Sequence, residues 1–211
     1  MGYSVHDMNT EPDREDALTL EILDVIDRQN DVSQRHLASH LGVALGLANS
    51  YLKRCVRKGL IKVSQAPANR YLYYLTPTGF TEKSRLTAQY LSHSLSFYRK
   101  AGESCQRVFD QCERNGWQKL LLCGISDLAE IATLRAMERS ITIVGIYDPQ
   151  SERVTFLNRP VWAEFSQVEK HDACILTDLQ TPEKSHADLL SHLDRSRVLV
   201  PDVLRLENGK D

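Results

Sequence analysis

Within LGVALGLANSYLKRCVRKGLI, residues 41–61, Asn49, Ser50, Lys53 and Arg57 follow one another at spacings of one, three and four with no proline between them. At helical pitch they share a face with Gly46. An asparagine amide on such a face can pair with an adenine edge, and a serine hydroxyl can donate or accept. Lysine and arginine hold phosphates, so Lys53, Arg54 and Arg57 are candidates for that role, joined by Ser33, Gln34 and Arg35 at the start of the preceding segment. The first turn, Ala44-Leu45-Gly46-Leu47, is uncharged. Ala44 or Leu45 can touch a thymine methyl, and Gly46 allows close backbone approach. Lys62 and Arg70 lie further along, where they can reach a phosphate or a minor groove.

The charge distribution points the same way. Residues 32–81 hold seven Lys or Arg (Arg35, Lys53, Arg54, Arg57, Lys58, Lys62, Arg70) and no Asp or Glu. The rest of the chain has 19 basic against 28 acidic residues, although the whole carries only −2. Fifty residues at the average acid content would hold about six or seven acids. An acid-free block inside an acidic protein is the footprint of a polyanion partner, and a nucleic acid is the expected one.

A second set of chemistry-bearing residues lies near the middle of the chain. KLLLCG, residues 119–124, is followed by Ile125-Ser126-Asp127, so that Gly124-x-Ser126-x-x-Ala129 stands where a Gly-x-Gly-x-x-Gly/Ala turn would face a pyrophosphate. Asp148, 24 positions after Gly124, ends the next apolar run, where an acid can accept from ribose hydroxyls. Ser126 replaces the second glycine, and Asp127 brings a negative charge, so a purely structural turn is an equal reading. GISDL lacks the Gly-x-Ser-x-Gly frame of a nucleophile, and no catalytic set is found. His36 and His40 are four apart without a third ligand, so no metal site is expected. The five cysteines (Cys55, Cys105, Cys112, Cys123, Cys174) form no CxxC pair and read as reduced, mostly buried thiols.

The elements that must position these residues follow from periodicity. Apolar residues at 18, 22, 25 and 26 predict a helix over 14–29, after a flexible tail over 1–13. Ser33 caps a short second helix, and a third runs from about Leu45 to Lys58, burying Ala48, Tyr51, Leu52, Cys55 and Val56. Leu60–Gln65 and Arg70–Leu75 predict a β-hairpin closed by Pro77 and Gly79. One long helix, about 50 Å, is expected over 81–114, pairing with a second copy of the chain or bridging two domains. Beyond Asn115-Gly116, strands at 119–124, 141–148, 172–178 and 197–202 alternate with helices at 126–139 and 183–194, and a short helix is expected near 162–169. Such alternation implies a parallel sheet with helices on both faces. No apolar run is long enough to span a membrane and the N-terminus lacks a signal-peptide core, so a cytoplasmic protein is expected.

SQRHLASHLGVALGLANSYLKRCVRKGLIKV followed by RYLYYLTPTG resembles the MarR-type winged-helix transcriptional regulators, over roughly residues 17–100. EKSRLTAQYL at the start of the long helix resembles the subgroup found beside exopolysaccharide genes. The resemblance implies a bacterial, dimeric DNA-binding regulator, its dimer formed through the 81–114 helix. LLLCGISDLAEIA, ITIVGIYDP, FLNRPVW and ACILTD resemble the Rossmann-like nucleotide-binding domain that precedes sugar acyltransferases. That implies a nucleotide or nucleotide-sugar effector lined by Gly124, Ser126, Asp148, Asn158 and Thr177. The expected fold is thus an α+β winged helix at 14–80, joined by a linker helix at 81–115 to an α/β Rossmann-like parallel-sheet domain at 116–211. The expected function is ligand-sensing transcription regulation. Two other readings stand beside it: a protein-interaction adaptor that uses the winged helix for protein contacts, and a nucleotide-sugar-modifying enzyme with an accessory winged helix.

Overall fold

The computed structural model describes residues 11–67 and 70–206, which divide between Ser94 and Leu95 into two compact units. The first is built from α1 (Glu11–Arg28), α2 (Gln34–His40), α3 (Leu45–Arg57), β1 (Ile61–Ala66), β2 (Arg70–Leu75) and the first half of α4 (Pro77–Arg114). α1 begins inside the expected tail; residues 1–10 lie outside the described residues. The predicted apolar stripe is what buries it: Leu18, Ile22, Val25 and Ile26 are all in the core, packed with Leu37, Leu41, Ala48, Leu52 and Cys55 of the next two helices.

Local chemistry sets the joints. Ser33 caps α2, its hydroxyl accepting from the His36 amide at 3.1 Å. Gly42 and Gly59 take φ of +62° and +69°, turning the chain out of α2 and α3. β1 and β2 pair antiparallel, Ile61 opposite Leu75, and the Tyr73 amide donates to the Asn30 carbonyl at 2.8 Å. Pro77 and Gly79 do not close this hairpin. They open α4, which starts four residues earlier than the sequence pattern indicates. The Thr76 hydroxyl accepts from the Gly79 amide at 3.0 Å, and proline in a first helical turn loses no hydrogen bond. A Cβ at Gly79 would run into the Leu60 carbonyl, which is why glycine stands there.

The second unit is a three-layer α/β domain. Its sheet runs β5 (Thr155–Phe156), β6 (Arg159–Trp162), β4 (Thr142–Tyr147), β3 (Lys119–Cys123), β7 (Ala173–Leu176), β8 (Val198–Leu199), parallel except for the β5 edge. Because strand side chains alternate, Leu120, Leu122, Ile143 and Ile175 face one layer, and Leu121, Cys123, Cys174 and Leu176 face the other. The first layer is α5 (Asp127–Ala136) with the second half of α4, which contributes Ala101, Cys105, Val108, Phe109 and Cys112. The stretch expected as a linker is therefore, from Ala101 to Cys112, core of this domain. α6 (Pro182–His192) covers the other face through Leu189. Trp162, expected to begin a helix, ends β6, and only a 3-10 turn at Phe165–Gln167 follows.

All five cysteines are buried and unpaired. Burial pushes the Cys55 thiol up to about 11, and those of Cys105 and Cys112 up to about 12, so these three are neutral apolar groups at neutral pH. Among the described residues no helix is long and apolar enough to cross a membrane.

Candidate nucleic-acid interface and the carboxyl end of the sheet

The first unit exposes basic residues on α2, α3 and β1. Gln34, Arg35 and His36 are exposed on the first turn of α2. On α3, Ala48, Leu52 and Cys55 are buried, so the opposite face, centred on Gly46, Ser50, Lys53 and Arg57, looks outward, and all four are exposed. Lys62 is exposed on β1 opposite Tyr74. Arg70 begins β2, and its side chain lies outside the described residues. Ala44, the N-cap of α3, makes no side-chain cap, which leaves the first amides of the helix uncapped by its own side chain.

Three candidates behave differently from the rest. Ser33 spends its hydroxyl on the α2 cap. Arg54 turns back to form an ion pair with Glu15 of α1. Asn49 is half-buried, and its Oδ1 is shut off from solvent with no hydrogen-bond partner. Pairing with adenine needs that oxygen to accept from the base amino group. Leu47, which sequence reasoning passed over, is 40 % exposed beside Leu45 at 45 %. Its place in the uncharged first turn of α3, beside Leu45, was the visible signal. His36 and His40 are both exposed on α2, and no group of three potential ligands placed to hold a metal occurs among the described residues.

In the second unit, four of the five candidate ligand residues gather at the carboxyl ends of β3, β4 and β7. The chain leaves β3 for β4 on one side and returns to β7 on the other, and such a change of side opens a ligand crevice in many parallel sheets. Here the groups at that crevice serve one another. The Ser126 hydroxyl caps α5, accepting from the Leu128 and Ala129 amides at 3.1 and 3.3 Å, and donates to the Thr177 carbonyl at 2.5 Å. The Thr177 hydroxyl lies 2.6 and 2.9 Å from the carbonyls of Gly124 and Cys123. Asp148 accepts from the Ile125 and Gln150 amides, both at 3.0 Å. A phosphate seated here would compete with Ser126 and Asp148 for the same N–H groups.

Asn158 is not part of this gathering. With Leu157 it forms the two-residue turn between β5 and β6, at φ of +59° and +49°, and β6 runs parallel to β4. The turn that precedes β6 therefore lies toward the amino end of the sheet, opposite to Gly124, Ser126, Asp148 and Thr177. Asp178 takes the place that sequence reasoning missed. Its carboxylate accepts from the Gln180 and Thr181 amides and from the hydroxyls of Thr181 and Ser185, the last at 2.6 Å. Burial raises the Asp178 carboxyl, but these hydrogen bonds outweigh it and hold it below the ordinary range. The Asp-x-x-Thr-Pro pattern of 178–182 was the available signal for such a turn.

Residues 15–62 match the family described as winged helix-turn-helix DNA-binding. The first unit thus carries a helix-turn-helix and wing of DNA-binding type. No curated protein matches the sequence. Among solved structures, the chain is similar to the PcaV transcriptional regulator from Streptomyces coelicolor at 21 % identity, covering 47 % of this chain and 74 % of that one, with a TM-score of 0.39. It is similar to MepR, a transcription regulator of the Staphylococcus aureus multidrug efflux pump MepA, at 22 % identity over 39 % and 60 %, with a TM-score of 0.34. A MarR family protein from Mycobacterium tuberculosis, solved in complex with p-aminosalicylic acid, is 20 % identical over 34 % and 55 %, with a TM-score of 0.31. The chain spans little more than half the length of this last protein.

Proposed function

We propose that this protein is a DNA-binding transcription regulator of the MarR type. The observation that carries the reading is the exposed, acid-free basic surface formed by Arg35, Lys53, Arg57 and Lys62 around a helix whose outward face is otherwise small, Gly46 and Ser50. Phosphates take the cations, and the helix between them enters the major groove. The protein acts as a dimer through α4, where Leu91 and Leu95, one turn apart, are exposed at 53 and 54 %. The α/β unit, Rossmann-like in this reading, is its sensing half. A nucleotide or nucleotide-sugar effector binds at the carboxyl ends of β3, β4 and β7, displacing the Ser126 and Asp148 contacts.

The test is fluorescence anisotropy of the full chain on duplex from upstream of its own gene against a scrambled duplex, over a salt series. Tighter binding to the native duplex with a steep salt slope supports the reading. Equal affinity for both leaves a nonspecific DNA-associated protein. No binding at low salt overturns it, and favours the adaptor reading in which Leu45 and Leu47 meet a protein.

A further inference from the structure

We infer that α3 reads thymine through its 5-methyl group, with Leu45 and Leu47 as the specificity-determining residues; this rests on the DNA-binding reading above. Base edges are met chiefly by the amino-terminal residues of a recognition helix. In α3 those residues are Leu45, Gly46 and Leu47, and none carries a hydrogen-bonding side chain. The next polar residue, Asn49, has its carbonyl oxygen turned into the protein. Ser50 pairs with either partner and discriminates little. Lys53 and Arg57 stand two and three turns further along, where they meet phosphate. Hydrogen-bonded readout is therefore thin, whereas apolar readout is not.

Leu45 and Leu47 are both exposed, at 45 and 40 %. They are about 200° apart around the helix, one on each flank of Gly46. A Cβ placed on Gly46 would meet nothing within 4 Å, and its φ is not one that demands glycine. The low saddle at Gly46 lets the helix axis descend, and each leucine then reaches a different base pair. Charge selects the occupant. The leucines sit inside fifty residues that hold seven cations and no acid. The partner is thus a polyanion with apolar groups on its floor, which describes a major groove lined with thymine methyls.

The experiment begins from the tightest duplex that the full chain selects from a random-sequence pool. Each thymine is then replaced in turn by deoxyuridine, which removes only the methyl, and affinity is read by anisotropy. Wild type loses about fourfold at each of two or more positions, the factor that burying one methyl corresponds to. In Leu45→Ala the loss at one set of positions disappears, and in Leu47→Ala the loss at another set. Both side chains are exposed, so neither variant threatens the fold. A flat deoxyuridine scan on a duplex that still beats its scramble overturns the methyl reading and leaves DNA binding standing. Failure to enrich any duplex overturns both, and makes the leucine pair a protein-contact surface.

Discussion

Gly124 and Asp178 meet backbone to backbone: a Cβ on Gly124 would stand 2.6 Å from the Asp178 Cα, and Gly124 itself holds φ +95°. This approach brings the loops that follow β3 and β7 together where the sheet changes side. Gly124→Ala must shift backbone and adopt a conformation that L-residues avoid, so it is expected to destabilise the α/β unit by about 2–4 kcal/mol. Both tryptophans, Trp117 and Trp162, lie in residues 95–211, so their fluorescence during urea unfolding reports on that unit alone. An unchanged midpoint would mean that the two loops part at little cost.

Acid should loosen the same unit. The amides of Lys119 and Gln118, both at 2.8 Å, hold the Asp172 carboxyl below its usual range, and the Asp178 network does likewise. A carboxyl depressed on folding contributes stability that is present above its unfolded value, and that is lost as pH falls through its folded value. The tryptophan-monitored urea midpoint is therefore expected to hold steady from neutrality to about pH 5 and to fall below about pH 4. Asp178→Asn should lower the neutral midpoint and flatten the acid fall. An acid fall of the same depth in that variant would assign it elsewhere.

Much of the first unit is legible because its signals are local. Leu18, Ile22, Val25 and Ile26 mark a helix face by spacing alone, and Ser33 marks a cap by residue type. Of the second unit's strands, β3, β4, β7 and β8 are legible as apolar runs and β5 and β6 are not, while Ser126 is legible as the start of α5. What pairs with what is not. Asn158 is near Asp148 in sequence, yet the parallel pairing of β4 with β6 sends its turn to the other end of the sheet. Pro77 and Gly79 are turn residues by type. Only the structure shows that they begin a helix, with the Thr76 hydroxyl accepting from the Gly79 amide and Gly79 set close against the Leu60 carbonyl. The inward turn of the Asn49 oxygen depends on neighbours that no pattern encodes.

Gly46→Ala separates folding from recognition. The position is helical, exposed and uncrowded, so alanine should stabilise the first unit by about 0.5–1 kcal/mol. The same methyl would hold the helix away from a groove floor and weaken DNA binding by about three- to tenfold. Circular dichroism melting and anisotropy on one preparation check both. Higher stability with unchanged affinity would show that the helix does not approach its partner at Gly46.

Neighbouring cations on α3 should answer salt differently. Lys53 and Arg57 are exposed on the outward face, whereas Arg54 is turned to Glu15 on α1. Removing one cation from a phosphate makes the slope of log affinity against log salt shallower by about 0.9. Lys53→Ala and Arg57→Ala are each expected to do so, weakening native and scrambled duplexes alike, because phosphates carry no sequence. Arg54→Ala should leave the slope unchanged and cost at most about 1 kcal/mol of stability, the range for a solvent-exposed ion pair. The comparison turns on orientation, because the three residues share charge and helix and differ in where the side chain goes. Should Arg54→Ala flatten the slope as much as its neighbours do, the pair with Glu15 breaks on binding and Arg54 joins the residues that hold phosphate. Should none of the three change it, phosphates lie elsewhere, and α3 is not the helix in the groove.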